Sequence, residues 1–179
     1  MWSMLEEARK NGWLVRIKRE NLGSDSFYGF VGGLSSDYVV ISVIDSNCRF
    51  DGASVFETDE VTFLEWDTAY LKNRARVLEE SPTSPLPLAD LELSSWESII
   101  RSVAAIYPVL TFHRDRTDSS SCYLGANIEI EEEIVRADLV SYDGELDGRF
   151  ALRLSDLTQV EFGDGYAGAL WQMVRNGES

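Results

Sequence analysis

The segment Gly163-x-Gly165-x-x-Gly168 follows a strand-like run and opens a helical one. In that setting glycines can let a backbone approach a pyrophosphate at a helix N-terminus. Such a site also needs a second parallel strand and a ribose-binding acid about twenty residues on, and only eleven residues follow Gly168. A glycine-rich turn is the expectation. Asp143-x-Glu145-x-Asp147-Gly148 imitates the opening of a calcium loop with its glycine correctly at the sixth place, but Leu154 stands where the bidentate acid belongs. A hairpin turn accounts for those residues. His113 is the sole histidine, beside Arg114 and Asp115, and its neighbourhood in sequence offers no acid-base or metal partners. Ser119, Ser120, Ser121 and Cys122 precede a strand without a nucleophile-elbow pattern. Nothing singles out a carboxylate pair for glycoside chemistry among 31 acids. The expectation is a protein that is not an enzyme and carries no cofactor or metal.

The acids themselves form the remaining pattern. Glu129, Glu131, Glu132 and Glu133 interleave with Ile128, Ile130 and Ile134, which predicts one strand with carboxylates outward and isoleucines inward, running into an acidic turn. Asp143, Glu145 and Asp147 follow in the next hairpin loop. These seven residues are the candidate partner-binding set, and their chemistry suits a basic protein. A solvated edge that discourages strand-to-strand aggregation is the competing explanation.

The elements that must position these residues are written twice. At a constant offset of 96, Gly29 matches Gly125, Val39 matches Val135, Asp51-Gly52 matches Asp147-Gly148, Thr62 matches Thr158, and Tyr70 matches Tyr166. Upstream the offset becomes 95, pairing Arg19 with Arg114. Repetition at fixed spacing marks a duplicated unit. Ser3-x-x-Glu6 and Ser94-x-x-Glu97 predict a capped helix at the start of each copy. Five strand-like runs follow in each: residues 13–18, 27–31, 38–44, 55–58 and 61–66, then 109–113, 123–130, 134–140, 150–154 and 157–162. A closing helix ends each copy. Gly29 and Gly125 fall mid-strand, where glycine marks a sharp bend. The expected fold is α+β, mainly β, with a first unit over 1–80, a proline-rich linker over 81–93 and a second unit over 94–179. The outer faces of the central strands differ, Val40 and Ile44 in one copy against Arg136 and Asp138 in the other. A cover over Val40 and Ile44 is therefore expected.

A helix followed by five short, strongly bent antiparallel strands resembles the Sm-like branch of the small SH3-like barrels. The stretch Phe27-Tyr28-Gly29-Phe30-Val31-Gly32-Gly33 through Val40, with Phe50-Asp51-Gly52, also resembles a widespread group of uncharacterised bacterial proteins. The Sm-like resemblance implies tandem barrels, and RNA binding by analogy. Charge opposes the latter: 16 basic against 31 acidic residues give −15, with −5 over residues 1–80 and −10 over 81–179, a field that repels phosphates and anionic lipids. An acidic N-terminal stretch, two widely spaced cysteines (Cys48, Cys122) and no long apolar run predict a cytoplasmic protein with free thiols. The resulting expectation is a non-catalytic binder of a basic protein, in its sharpest form an immunity protein against a nuclease-type toxin, with an adaptor of unknown partner as the alternative. Neither nucleic acid nor membrane is expected as a partner.

Overall fold

The computed structural model describes residues 1–23, 26–81, 83–88 and 90–177. Pro82 and Ala89 of the expected linker lie outside them. Helix α1 (Trp2–Asn11) leads into β1 (Leu14–Lys18), β2 (Ser26–Leu34), β3 (Tyr38–Ile44), β4 (Phe50–Glu57), β5 (Phe63–Glu65) and α2 (Ala69–Glu79). Then follow α3 (Trp96–Ala104), β6 (Val109–Arg114), β7 (Asp118–Glu131), β8 (Ile134–Val140), β9 (Leu146–Arg153), β10 (Gln159–Phe162) and α4 (Gly165–Gly177). The order and kind of these elements match the expectation. Helix starts do not: α1 is preceded by Met1 with no side-chain cap, and Ser95, whose oxygen accepts from the Ser98 backbone, caps α3 in place of Ser94. Gly12, in the left-handed region at φ 61°, ends α1 and turns its N–H back onto Ala8 and Arg9 carbonyls.

The strands form one ten-stranded antiparallel sheet in the order β5-β1-β2-β3-β4-β10-β6-β7-β8-β9. The α+β, mainly β class is as expected, and the strands of both halves are joined in a single open sheet. The strands of each half stay contiguous and in the same relative order, but the sheet does not close, and β4 pairs across the halves with β10. The physical reason lies in the β4 edge. Val55 and Ala53 stand opposite Val160 and Phe162, and all four are buried; a free β4 would leave an apolar edge in water. The 96-residue offset persists in the geometry. Ser42 opposes Ala53 and Asp138 opposes Arg149, each beside a register shift, and Gly52 and Gly148 share φ 78°.

Among the described residues, four hydrophobic clusters hold the helices. α1 contributes Leu5 and Ala8 to a cluster with Val15, Ile17, Val39, Ile41 and Phe56. α2 lays Leu71 and Leu78 over Leu14 and Ile44. α4 sets Ala167, Leu170 and Val174 on Val109, Ala126 and Val140. The largest cluster spans both halves, because α3 puts Trp96, Ile99, Ile100 and Val103 against Val40 and Val55 as well as Phe112 and Val160. Trp96 meets Tyr38 edge-on at 5.0 Å. Val40 and Ile44 are thus covered, by α3 and α2 respectively, while Arg136 and Asp138 keep partial exposure. At roughly 1.5–3 kcal/mol for each fully buried large apolar side chain, the shared cluster couples the halves strongly.

Candidate functional site

Among the described residues, the polar groups singled out in the sequence fall in a cleft over the joint between the halves and in the two separate hairpin turns at either end of β8. The cleft has a volume of about 380 Å³ and is lined by Arg19, Phe27, His113, Asp115, Cys122, Gln159 and Glu161 among others. Its floor is Arg19, which leaves β1 and crosses to the other half. The guanidinium is 6% exposed, lies 3.2 Å from Glu60 Oε2 and 3.0 Å from Asp115 Oδ2, and donates to the Thr158 carbonyl at 2.9 Å and to Gln159 Oε1. The Phe56 and Phe27 rings flank it at 5.0 and 5.4 Å. A second arginine, Arg116, reaches back to Glu57 and, at 2.5 Å, to Glu60. Burial pushes the Glu60 carboxyl above its ordinary range, with Arg19 and then Arg116 pulling it back. This arrangement is a clasp between the halves.

His113, Cys122 and Gln159 lie in one cross-strand row on β6, β7 and β10. His113 Nε2 is 3.3 Å from Glu161 Oε2 without hydrogen-bond alignment. The row places a thiol, an imidazole and an amide side by side, with the Glu161 carboxylate next to the imidazole. The thiol is poorly prepared for nucleophilic work, because burial and then the Glu161 charge push Cys122 above its ordinary pKa. Among the described residues no group of His, Cys, Asp and Glu could hold a metal ion.

The seven acids singled out in the sequence do not converge. Glu131 ends β7, and Glu132 and Glu133 form the β7–β8 turn at φ 50° and 63°. Asp143 and Glu145 lie in the β8–β9 turn, at the other end of seven-residue β8, which at about 3.3 Å per residue is roughly 20 Å away. Glu129 pairs with Arg149 at 3.2 Å and Glu131 with Arg136 at 2.5 Å. By contrast Glu132, Glu133, Asp143, Glu145 and Asp147 are exposed and have no ion-pair partner among the described residues. The β8–β9 turn carries more than charge. Tyr142 at its tip is 81% exposed, Leu146 is 38% exposed, and Gly144 packs on Met173 of α4, itself half exposed. Aromatic and thioether side chains rimmed by uncompensated acids form this tip.

The Gly163-x-Gly165-x-x-Gly168 segment is a turn and helix start, as expected. Gly163 takes φ 71°, and Asp164 Oδ1 accepts from the Ala167 backbone at 2.8 Å. Burial raises the Asp164 carboxyl above its ordinary range; the cap lowers it, and Glu161 and Asp51 raise it further. Across the joint, Asp51 Oδ1 accepts from the Gly165 backbone at 2.9 Å. Sequence reasoning missed the Arg19 clasp and this cap. The repeated Asp-Gly and the Arg19–Arg114 match were the available signals.

Comparisons with family models, with curated proteins and with solved structures find no match. No helix among the described residues is long and apolar enough to cross a membrane.

Proposed function

We propose that this chain is a non-catalytic protein-binding protein that engages a basic protein through the β8–β9 turn. We read its two halves as copies of one small Sm/SH3-like barrel unit with the divide at residues 81–93, and its setting as the cytoplasm. The carrying observation is the tip itself: Tyr142, 81% exposed, is followed by Asp143 and Glu145, which have no ion-pair partner among the described residues, and Gly144 between those two acids packs on Met173. Exposed aromatic and methionine side chains supply contact area, and an acidic rim steers a cationic partner into register. A strongly acidic surface suits occlusion of a site built to bind phosphates, so the sharper form of the reading is neutralisation of a nuclease-type toxin. An adaptor role would use the same tip. The net charge of −15 weighs against RNA as the ligand.

The test is a photo-crosslinking residue at position 142, with a matched probe at position 10 of α1, where the Lys10 side chain is 64% exposed. Expressed in the source cell, the position-142 probe should trap one basic protein that the control does not. Crosslinks only to RNA, or equal capture by both probes, would defeat the reading.

A further inference from the structure

The joint between the halves is made from two edges, and the repeat places a second copy of each at the two ends of the sheet. Within the chain, β4 pairs with β10. By the 96-residue offset β9 is the counterpart of β4, and β5 the counterpart of β10; these are the two outermost strands, and neither has an outer strand partner among the described residues. We propose that β9 of one molecule pairs with β5 of another, so that the chain assembles head to tail through a copy of its own internal joint.

Four matches support this. The first is the glycine turn: Gly52 and Gly148 both adopt φ 78°, but a Cβ on Gly52 would lie 2.6 Å from the Phe162 carbonyl oxygen of the abutting strand, whereas nothing lies within 4 Å of one on Gly148. The special backbone is present at the free edge without the neighbour it accommodates. The second is the cap. Asp51 accepts from Gly165 at the start of α4; its counterpart Asp147 is exposed without a side-chain partner among the described residues, and Ala69, the counterpart of Gly165, starts α2, whose Thr68 cap engages Leu71. The third is the clasp. Arg19 meets Asp115 across the joint at 3.0 Å; their counterparts are Arg114 and Glu20. Arg114 has no carboxylate within ion-pair distance among the described residues; its Nη2 donates to the Tyr123 hydroxyl at 3.1 Å while its buried Nε has no hydrogen-bond partner there, and Glu20 is 55% exposed and meets Lys18 at 3.4 Å. The fourth is charge. Arg149 and Arg153 lie in β9, Arg149 also pairing with Glu129 and Asp138 of its own half, and Glu20, Glu65 and Asp67 lie around β5, where Lys18, Arg16 and Lys72 pair with them. Isolated charges on an edge strand discourage pairing in general, but opposite signs on two edges select one pairing. Because the two surfaces differ, the contact is heterologous: it closes into a ring or continues as a filament.

The proposal is independent of the Tyr142 tip, so each can fail alone. The test measures mass by light scattering after gel filtration at about 100 μM and physiological ionic strength, where a Debye length of about 8 Å screens repulsion between acidic copies. Wild type should give at least twice the 20.2 kDa protomer mass. Arg114→Glu and Glu20→Arg should each return the protomer mass with unchanged circular dichroism. An equimolar mixture of the two variants, and the double variant, should regain the wild-type mass, since each restores an opposite-charge pair. A wild type that stays at the protomer mass overturns the proposal. So does an assembly insensitive to both substitutions, or single-variant losses that neither mixing nor the double variant restores.

Discussion

Replacing Arg19 by Met tests the clasp that joins the halves. The substitution keeps most of the buried aliphatic length between Phe27 and Phe56 and removes only the charge and its donors. It strands Glu60 and Asp115, 9% and 12% exposed, and orphans the Thr158 carbonyl. Removing one member of a buried ion pair costs about 3–5 kcal/mol. The lower part of that range applies here, because Glu60 keeps Arg116 at 2.5 Å and Asp115 keeps the Thr158 hydroxyl at 2.8 Å. With an m-value of about 2–3 kcal/mol/M in urea, a loss of about 3 kcal/mol lowers the midpoint by roughly 1–1.5 M. Tryptophan fluorescence reads this, since Trp96 sits in the cluster shared by both halves. Arg19→Lys keeps the charge but not the planar fork that serves several acceptors at once, so it should recover less than half of the loss. A midpoint shift under about 0.3 M for Arg19→Met, or full stability for Arg19→Lys, would refute the clasp.

Gly52→Ala and Gly148→Ala share one backbone strain at φ 78°, so in monomeric protein Gly148→Ala should cost about 1 kcal/mol and Gly52→Ala clearly more, because only the latter meets the facing strand; thermal melts compare them. Asp164, raised by burial, binds its proton more tightly folded than unfolded, so it subtracts stability as pH rises from its ordinary pKa through the raised one. Asp164→Asn keeps the capping oxygen and removes the titration; its stability relative to wild type should therefore climb across that acid range and plateau above it, as urea midpoints from pH 4 to 7 would show. Tyr142→Ala, at a site 81% exposed, should alter stability by less than about 0.5 kcal/mol while abolishing capture of the partner.

The repeat was readable because paired glycines, threonines and Asp-Gly turns serve backbone needs that survive divergence, and Gly29 illustrates the point: a Cβ there would strike the Ser42 backbone and the Ile41 side chain. The cover on Val40 and Ile44 was readable from two outer faces of unequal polarity. The joining of the halves was not. Val55 and Val160 look like ordinary core positions of separate units, and nothing in an alternating pattern says which edge a strand will find. Arg19 gave no sign of burial, since its acceptors lie 41 to 140 positions away. The acidic residues stand close in sequence, and whether they meet was not legible there, because β8 separates their two turns in space. Helix starts slipped because Ser94 and Ser95 are chemically equal caps, and only packing of Trp96 decides between them.

The most direct test of the functional account takes the protein trapped at position 142 and measures its association rate against ionic strength, for wild type and for Asp143→Lys combined with Glu145→Lys. Steering by uncompensated acids predicts a rate at least about tenfold lower for the variant at low salt, with the two curves converging toward 0.5 M as screening shortens the reach of the field. Equal rates at every salt concentration would contradict the account.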